Sequence, residues 1–252
     1  MHESLSLLRR WRWLLIAVMA CEAGFVEALH ANPVAPDPIA SVVELFTSQG
    51  CPSCPPADRL LTALASEPDV VAVTFPIDYW DFIGWKDTLA SPAFTARQKA
   101  YAAARGGHVY TPQAVIDGLV DAVGSDKAQI EGVMRATKGK DGALTVPMNL
   151  AEKRGVLHVD IGAGPEAVAG VYVLRIVRSK TVLVRRGENS GRSITYTNVV
   201  RAIHKIGEWN GKPRSYELRE LKGDDEGYVV LLQKGADSRP GAILAAAKSV
   251  GF

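Results

Sequence analysis

The feature that most constrains the fold is a pair of cysteines set between an apolar run and an amphipathic run. The run SVVELF (41–46) is rich in β-branched and apolar residues, which is typical of a buried strand. The segment ADRLLTALASE (57–67) repeats apolar residues at helical spacing. Between them stands GCPSCPP (50–56), in which two residues separate Cys51 from Cys54. The sequence therefore predicts a cysteine pair at the turn from a buried strand into a helix.

Three kinds of chemistry are open to these cysteines. The only other cysteine is Cys21, so no second cysteine pair exists to complete a four-ligand zinc site. A structural disulfide across two residues closes a small loop, and the stabilisation expected from loop closure grows with loop length. At a helix N-terminus, free N–H groups and the helix dipole lower the pKa of a thiol. These considerations favour a redox pair, because the thiolate is the form that attacks a disulfide.

Pro55 and Pro56 indicate where the helix begins. Proline lacks a backbone N–H, which the first turn of a helix does not need. The helix is therefore predicted to begin near Ser53 or Cys54, with Ser53 available as the N-cap. This placement leaves Cys51 ahead of the helix and exposed. Cys51 is accordingly predicted to be the nucleophile, and Cys54 the resolving thiol.

The stretch VVELFTSQGCPSC (42–54) resembles the first strand and the active-site turn of the thioredoxin superfamily. That fold holds a cis-proline against the cysteine pair, and the resemblance points to Thr111 and Pro112 in VYTPQAVIDG. Thioredoxin-like proteins often bury a carboxylate behind the pair, and Glu44 is the matching candidate. A buried Glu44 would have a raised pKa and suit general-base chemistry. The structural alternatives are a proline that enters a strand in trans and a carboxylate at the edge of the sheet.

Further motifs resemble a narrower family of bacterial secreted, thioredoxin-like proteins, which is classed as a domain of unknown function. The motifs are ELFTSQGCPSCPPAD (44–58), DYWDFIGWKD (78–87), RQKAY (97–101), VYTPQ (109–113) and the stretch from RRGENSG to NVVR (185–201). The resemblance implies a thioredoxin-like fold and an exported protein, and it leaves the substrate open.

Residues 1–31 are predicted to be a secretory leader. RRWRW (9–13) is basic, and LLIAVMA (14–20) is apolar but, at about seven residues, too short for a bilayer that needs about 20. We expect a secreted or periplasmic protein, attached to the membrane only if Cys21 is lipidated. A buried N-terminal helix is the alternative. The formal net charge of +2 gives no indication of a nucleic-acid partner.

A change in hydrophobic pattern predicts two domains. Residues 40–138 form the first, an α/β thioredoxin-like N-terminal domain in which 70–77 is the second strand and 91–107 a helical insertion. Residues 143–252 consist of short alternating runs broken by Gly, Asn and Asp, which indicates a C-terminal antiparallel β-sandwich domain.

An aromatic cluster leads into the inserted helix. Tyr79, Trp80 and Trp85 follow the second strand, and sites in open α/β sheets lie at the carboxyl ends of strands. These residues are therefore candidates for a substrate groove. Packing of the inserted helix is the structural alternative.

The linker KGKDG (138–142) is short enough to keep the two domains close together. We therefore expect the polar stretch RRGENSGRS (185–193), or the strand that carries Arg201, to approach Cys51. Arg185, Arg186 or Arg201 would then favour the Cys51 thiolate.

The leading hypothesis is a thiol–disulfide oxidoreductase that exchanges with a protein or small-molecule thiol or disulfide, without a cofactor. Cys51 attacks the partner disulfide, and Cys54 resolves the mixed disulfide. One alternative is a copper-handling protein, in which both thiolates bind Cu(I) and His108 is a third ligand. The other is a secreted binding protein that carries a structural disulfide.

Overall fold

The chain has a mixed α/β fold, dominated by strands, in a computed structural model that describes residues 38–219, 223 and 225–252. The predicted leader (1–31), with Cys21, lies outside these residues. None of the helices in the described part of the chain has the length and apolar character needed to cross a membrane.

The described residues contain three α-helices, two short 3-10 helices and eleven strands. The α-helices are α1 (Pro55–Ala65), α2 (Pro92–Arg105) and α3 (Lys127–Thr137). The first strands are β1 (Ser41–Thr47), β2 (Val70–Pro76), β3 (Gln113–Ile116) and β4 (Val120–Val123). The later strands are β5 (Met148–Lys153), β6 (Val156–Ile161), β7 (Ala169–Leu183), β8 (Ser193–Trp209), β9 (Arg214–Arg219), β10 (Glu226–Ala236) and β11 (Arg239–Lys248).

Eight strands form one large sheet in the order β11-β10-β7-β8-β2-β1-β3-β4. The central strands β1 and β2 are parallel, and β3 and β4 continue the sheet antiparallel on the far side of β1. All seven residues of β1 are buried, as the apolar run predicted. The cysteine turn, which follows β1, therefore lies at the end of an inner strand of the sheet.

Side chains of β1 alternate between two cores, as the pleat of a strand requires. Val43 and Leu45 pack with Leu61 of α1 and Ile130 of α3. Phe46, on the opposite face, belongs to the core that includes residues of α2. Helices α1 and α3 therefore cover one face of β1, and α2 covers the other.

The predicted C-terminal sandwich strands are antiparallel among themselves, but four of them extend the first sheet. The junction is a parallel pairing of β8 with β2 at Thr74 and Val199. The Thr74 hydroxyl donates to the Thr197 carbonyl at 2.6 Å, and the Asn198 amide donates to the Ala72 carbonyl at 3.0 Å. These side-chain bonds at the junction are not visible in an apolar-alternation pattern, which is why the sequence did not predict a continuous sheet.

A second sheet, in the order β5-β6-β9, packs against the C-terminal strands of the large sheet. Trp209 is fully buried in the core between them, and its indole N–H donates to the Gly162 carbonyl at 3.2 Å. That core contains Leu157, Val159, Ile161, Val171, Val173, Val230, Leu232 and Leu244.

The turn between β3 and β4 touches β11, although the two lie near opposite ends of the strand order. The Asp117 carbonyl accepts from the N–H of Ile243 at 2.9 Å. A Cβ atom added to Gly118, whose φ is +71°, would lie 2.2 Å from the Gly241 carbonyl oxygen. The two halves of the chain therefore meet at a second junction, where only glycine fits at position 118.

Candidate functional site

The cysteine pair lies at the turn from β1 into α1, where the sequence predicted it. Cys51 and Cys54 form a disulfide, with their Cα atoms 5.4 Å apart. The Cys51 N–H donates to the Ser48 carbonyl at 3.1 Å, and the Cys54 N–H donates to the Cys51 carbonyl at 3.3 Å. Pro55 and Pro56 occupy the first turn of α1, where their missing N–H groups are not needed.

Two details of this turn differ from the prediction. The N-cap residue of α1 is Cys54, and the Ser53 hydroxyl lies 3.5 Å from the Cys51 sulfur instead of capping the helix. Cys51 was expected to be exposed, but both cysteines are 0% exposed. Because both sulfur-bearing residues are equally buried, burial does not distinguish a nucleophile from a resolving thiol.

The Thr111–Pro112 peptide bond is cis, as predicted. The Ser53 hydroxyl lies 3.4 Å from the Thr111 carbonyl oxygen that accepts its hydrogen bond. A Cβ atom added to Gly124 would be 3.0 Å from the Pro112 Cβ and 3.3 Å from that of Ala57. The Thr111–Pro112 segment therefore lies against the cysteine turn and the first residues of α1.

Trp80 is one of the predicted groove residues that the fold brings to the turn. Its indole N–H donates to the Thr111 hydroxyl at 2.8 Å. A Cβ atom added to Gly50, beside Cys51, would lie 3.0 Å from the Trp80 Cβ. Trp80 also stacks on Phe82 at 6.5 Å between ring centroids, and Phe82 is 82% exposed. The two rings therefore form an apolar surface beside the turn.

Trp85 supports the same turn through Gln49. Its indole N–H donates to the Gln49 side-chain oxygen at 2.8 Å, and the Gln49 backbone N–H donates to the Asp87 carboxylate at 2.7 Å. Burial raises the pKa of Asp87. Tyr79, the third predicted groove residue, is half-buried against the core that includes α2, and burial raises the pKa of its hydroxyl.

Glu44 is buried, but its partners lie on α2 and not at the disulfide. Its carboxylate accepts from the Arg97 guanidinium at 2.8 Å and from the Tyr101 hydroxyl. The same guanidinium donates to the Gln233 side chain at 3.0 Å. The alternation of β1 places Glu44 on the side of α2, whereas Cys54 begins α1 on the other side. The sequence predicted that Glu44 lies behind the cysteine pair. In the structure it lies on the opposite side of the sheet from α1.

Asp58 is a buried carboxylate on α1, the helix that follows the disulfide. It lies one helical turn after Cys54, and its backbone N–H donates to the Cys54 carbonyl at 3.1 Å. Its Oδ1 accepts from the Thr47 hydroxyl at 2.8 Å, and among the described residues its Oδ2 has no hydrogen-bond partner. Burial, partly offset by the Thr47 hydrogen bond, raises the pKa of Asp58 to about 7.

A cavity of about 640 Å³ opens beside Asp58, between α1 and the start of β8. Its lining combines the Asp58 carboxyl with two exposed guanidinium groups, those of Arg59 and Arg192. The cavity gives an otherwise buried carboxyl group a route to solvent.

The polar tip of the β7–β8 hairpin reaches the cysteine turn, as the sequence predicted. The Asn189 side-chain amide donates to the carbonyls of Cys51 and Gln49, at 2.8 Å and 3.0 Å. Asn189 is fully buried, and its side-chain oxygen accepts from Arg192 at 3.1 Å.

Of the three arginines expected near Cys51, one is hydrogen-bonded elsewhere. Arg185 and Arg186 are exposed, and Arg201 donates to the Leu89 carbonyl at 3.2 Å. The guanidinium linked to Cys51 is that of Arg192, and the link runs through Asn189.

Metal ligation was the basis of the copper alternative. In the part of the chain that the structure describes, no three or more His, Cys, Asp or Glu side chains gather as a metal site. His108 is exposed.

Residues 42–233 match the family model described as a protein of unknown function (DUF1223). The chain belongs to the DUF1223 family. The matched region includes the cysteine pair, Asp58, Pro112 and Asn189, so every residue of the site described above lies in the DUF1223 region.

Two solved structures are similar to this DUF1223 protein. A crystal structure of a protein from Agrobacterium tumefaciens has 37% sequence identity and a TM-score of 0.76, and the match covers 86% of this chain and 97% of that chain. HBP35 of Porphyromonas gingivalis has 12% identity and a TM-score of 0.57, and the match covers 83% of this chain and 74% of that chain. At 12% identity, the likeness concerns the fold alone. No curated protein matches the chain significantly.

Proposed function

We propose that the protein is a thiol–disulfide oxidoreductase of the cell envelope, with Cys51 and Cys54 as its redox pair. The proposal rests on the disulfide at the N-terminus of α1 and on the cis Thr111–Pro112 segment that lies against the same turn. A thiol at a helix N-terminus is favoured as the thiolate, which is the reactive form.

The proposal includes a thioredoxin-like fold for residues 40–138 and a β-sandwich for residues 143–252. Parallel β1 and β2, flanked by antiparallel β3 and β4 and with helices on both faces, support the first assignment. The packing of the three-stranded sheet on β7, β10 and β11 supports the second.

In the oxidising direction, a substrate thiolate attacks the Cys51 sulfur, and the electron pair of the broken S–S bond goes to Cys54. A second substrate thiolate then attacks the substrate sulfur of the mixed disulfide. This step releases Cys51 as a thiolate and leaves the substrate oxidised by two electrons. In the reducing direction, the Cys51 thiolate attacks a substrate disulfide, and Cys54 resolves the mixed disulfide.

Asp58 is the proposed proton acceptor for Cys54. The Cys54 thiol must lose its proton before it can attack, and a carboxyl group with a pKa of about 7 exchanges protons near neutral pH. The unpartnered Oδ2 and the adjoining cavity support a path for that proton to solvent.

The predicted leader (residues 1–31) supports export to the periplasm or the exterior, where a disulfide persists. The proposed substrates are thiols or disulfides of proteins or small molecules. The exposed Trp80–Phe82 surface beside the turn favours a protein partner, because exposed apolar surface is commonly used for protein contacts.

The test is the equilibrium of residues 32–252 with glutathione. The protein is incubated at a series of reduced-to-oxidised ratios, and free thiols are alkylated and counted by mass spectrometry. An exchanging pair should pass from disulfide to dithiol within the accessible range. A pair that stays oxidised at every ratio is a structural disulfide, and the binding-protein alternative would then replace the proposal.

A further inference from the structure

The disulfide is covered although the residues between its cysteines are exposed. Pro52 and Ser53 are solvent-exposed, whereas Cys51 and Cys54 are 0% exposed. Exchange requires a sulfur nucleophile to approach a disulfide sulfur, so its rate depends on access. Some part of the protein must therefore move before the pair can react.

The tip of the β7–β8 hairpin, residues 185–193, is the element that contacts this turn from the C-terminal half. It is closed by hydrogen bonds from Val184 N–H to the Arg192 carbonyl, at 2.9 Å, and from Gly191 N–H to the Val184 carbonyl, at 2.8 Å. A Cβ atom added to Gly187 would lie 3.4 Å from the Trp85 Cβ. The hairpin tip therefore lies on the loop that supports the cysteine turn.

Asn189 makes the two hydrogen bonds that join the hairpin tip to the turn. Its amide donates to the Cys51 and Gln49 carbonyls, and all three residues are 0% exposed. Both bonds come from one side-chain nitrogen, so one substitution removes them together. The rest of the tip is charged and exposed at Arg185, Arg186 and Glu188, which favours its solvation once it is released.

The base of the same hairpin is anchored by its own buried side chains. Val184, Ile194, Tyr196 and Val199 form a small buried core against Trp85 and Leu89. The tip can therefore lift while the base of the hairpin stays packed.

We propose that Asn189 is a positioning residue that latches the hairpin tip over the disulfide, and that the tip must lift before Cys51 exchanges. The latch controls access to the pair, and its role in a reaction cycle rests on the proposed function. Opening is a local event of the kind that occurs in native proteins well below the free energy of global unfolding.

The test is the rate at which dithiothreitol reduces the native disulfide. One dithiothreitol thiolate attacks the Cys51 sulfur and Cys54 leaves as a thiolate; the second dithiothreitol thiol, as its thiolate, then closes the dithiothreitol ring and releases Cys51. Asn189→Ala should raise this rate about tenfold, the change expected from the loss of two hydrogen bonds. Asn189→Asp should raise it at least as much, because a carboxylate would face two carbonyl oxygens.

Asn198→Ala is the matched control. Like Asn189, Asn198 is a buried asparagine that donates to a backbone carbonyl. Asn198 lies on β8, and its acceptor is the Ala72 carbonyl of β2. Its loss lowers stability away from the disulfide and should leave the reduction rate within about twofold. Ser190→Ala is a second control in the hairpin tip itself, since the Ser190 hydroxyl donates to the Arg185 carbonyl of the same tip.

Urea separates a latch from general destabilisation. Local opening exposes little surface, so the faster reduction of Asn189→Ala should persist with little urea dependence below the unfolding transition. A rise of less than about threefold, or one whose urea dependence matches global unfolding, would overturn the proposal. The glutathione equilibrium is measured on the same variants. A pair that glutathione never reduces would refute the oxidoreductase, whereas the dithiothreitol comparison would still decide the latch.

Discussion

Asp58 is a buried carboxylic acid one helical turn after Cys54. Its burial destabilises the folded protein by an amount that depends on pH. Burial raises its pKa to about 7 in the folded protein, whereas the ordinary value is 3.8. Below the ordinary value the group is protonated in both the folded and unfolded states. As pH rises toward 7, the unfolded chain ionises first, so the folded state loses stability relative to it.

The variant Asp58→Asn should remove this pH dependence. The amide has nearly the same shape and can keep the hydrogen bond from Thr47. Between pH 4 and pH 8, wild type should lose about 2–4 kcal/mol relative to the variant. Urea unfolding at several pH values measures the difference. Parallel pH profiles for the two proteins would show that Asp58 is ionised in the folded state.

The two cysteines should differ when each is replaced by serine. Cys51→Ser is expected to abolish disulfide exchange, and Cys54→Ser to accumulate a mixed disulfide with the partner, because only Cys54 can resolve it. Mass spectrometry of the protein after reaction with oxidised glutathione detects the adduct. A stable adduct on Cys51→Ser in place of Cys54→Ser would reverse the two roles.

At the scale of single elements, α2 is fixed to β1 and β10 by one buried cation. The Arg97 side chain is 10% exposed, and its guanidinium contacts Glu44, Tyr101 and Gln233. It also lies over the Phe75 ring, 5.6 Å from the centroid. Removing such a cation leaves an uncompensated charge in the core.

Arg97→Met should therefore lower the free energy of unfolding by about 3–5 kcal/mol. The double variant Glu44→Gln/Arg97→Met should lose less, because both buried charges are removed together. Urea denaturation measures both. Glu44→Gln alone should leave the rate of disulfide exchange within about twofold, since Glu44 lies across the sheet from α1. A tenfold decrease in the exchange rate of Glu44→Gln would show that Glu44 takes part in the reaction.

The elements that carry the cysteines were predictable because their signals are local. An apolar run, two prolines and a helical repeat are enough to place β1, the turn and α1. Local signals did not predict which of two carboxylates, Glu44 or Asp58, lies on the same side of the sheet as the disulfide. Glu44 precedes Cys51 on β1 and Asp58 follows Cys54 on α1, and the alternation of β1 turns Glu44 away from α1 toward α2. The contact from Asn189 spans 138 residues of sequence, and no local pattern reports it.

At the scale of the whole molecule, the two predicted domains share one sheet and one core. Strand β8 pairs with the outer side of β2. The core under α2 takes Phe46 and Phe75 from the first half of the chain, and Leu174 and Leu231 from the second. Alternating runs predicted antiparallel strands correctly but carry no information on which sheet they join.

Residues 32–142 expressed alone should therefore fail to fold. The fragment lacks β8, which leaves an unpaired edge on β2, and it loses the half of the core that comes from β7, β10 and β11. Circular dichroism and urea unfolding are compared with those of residues 32–252. A fragment that unfolds cooperatively, with a midpoint near that of the longer chain, would show that the first part is an independent domain.

The contact between Gly118 and Gly241 has a consequence for how such a protein can change over evolutionary time. A methyl group at position 118 would meet the carbonyl of residue 241 at 2.2 Å, so a side chain at position 118 would require one of the two backbone segments to shift. A first half taken from another gene would then fit this second half only if its own turn lay equally close to β11 without a side chain at that point. Among relatives, position 118 should remain glycine whichever residue stands at position 241, and a gene encoding one half without the other should be rare.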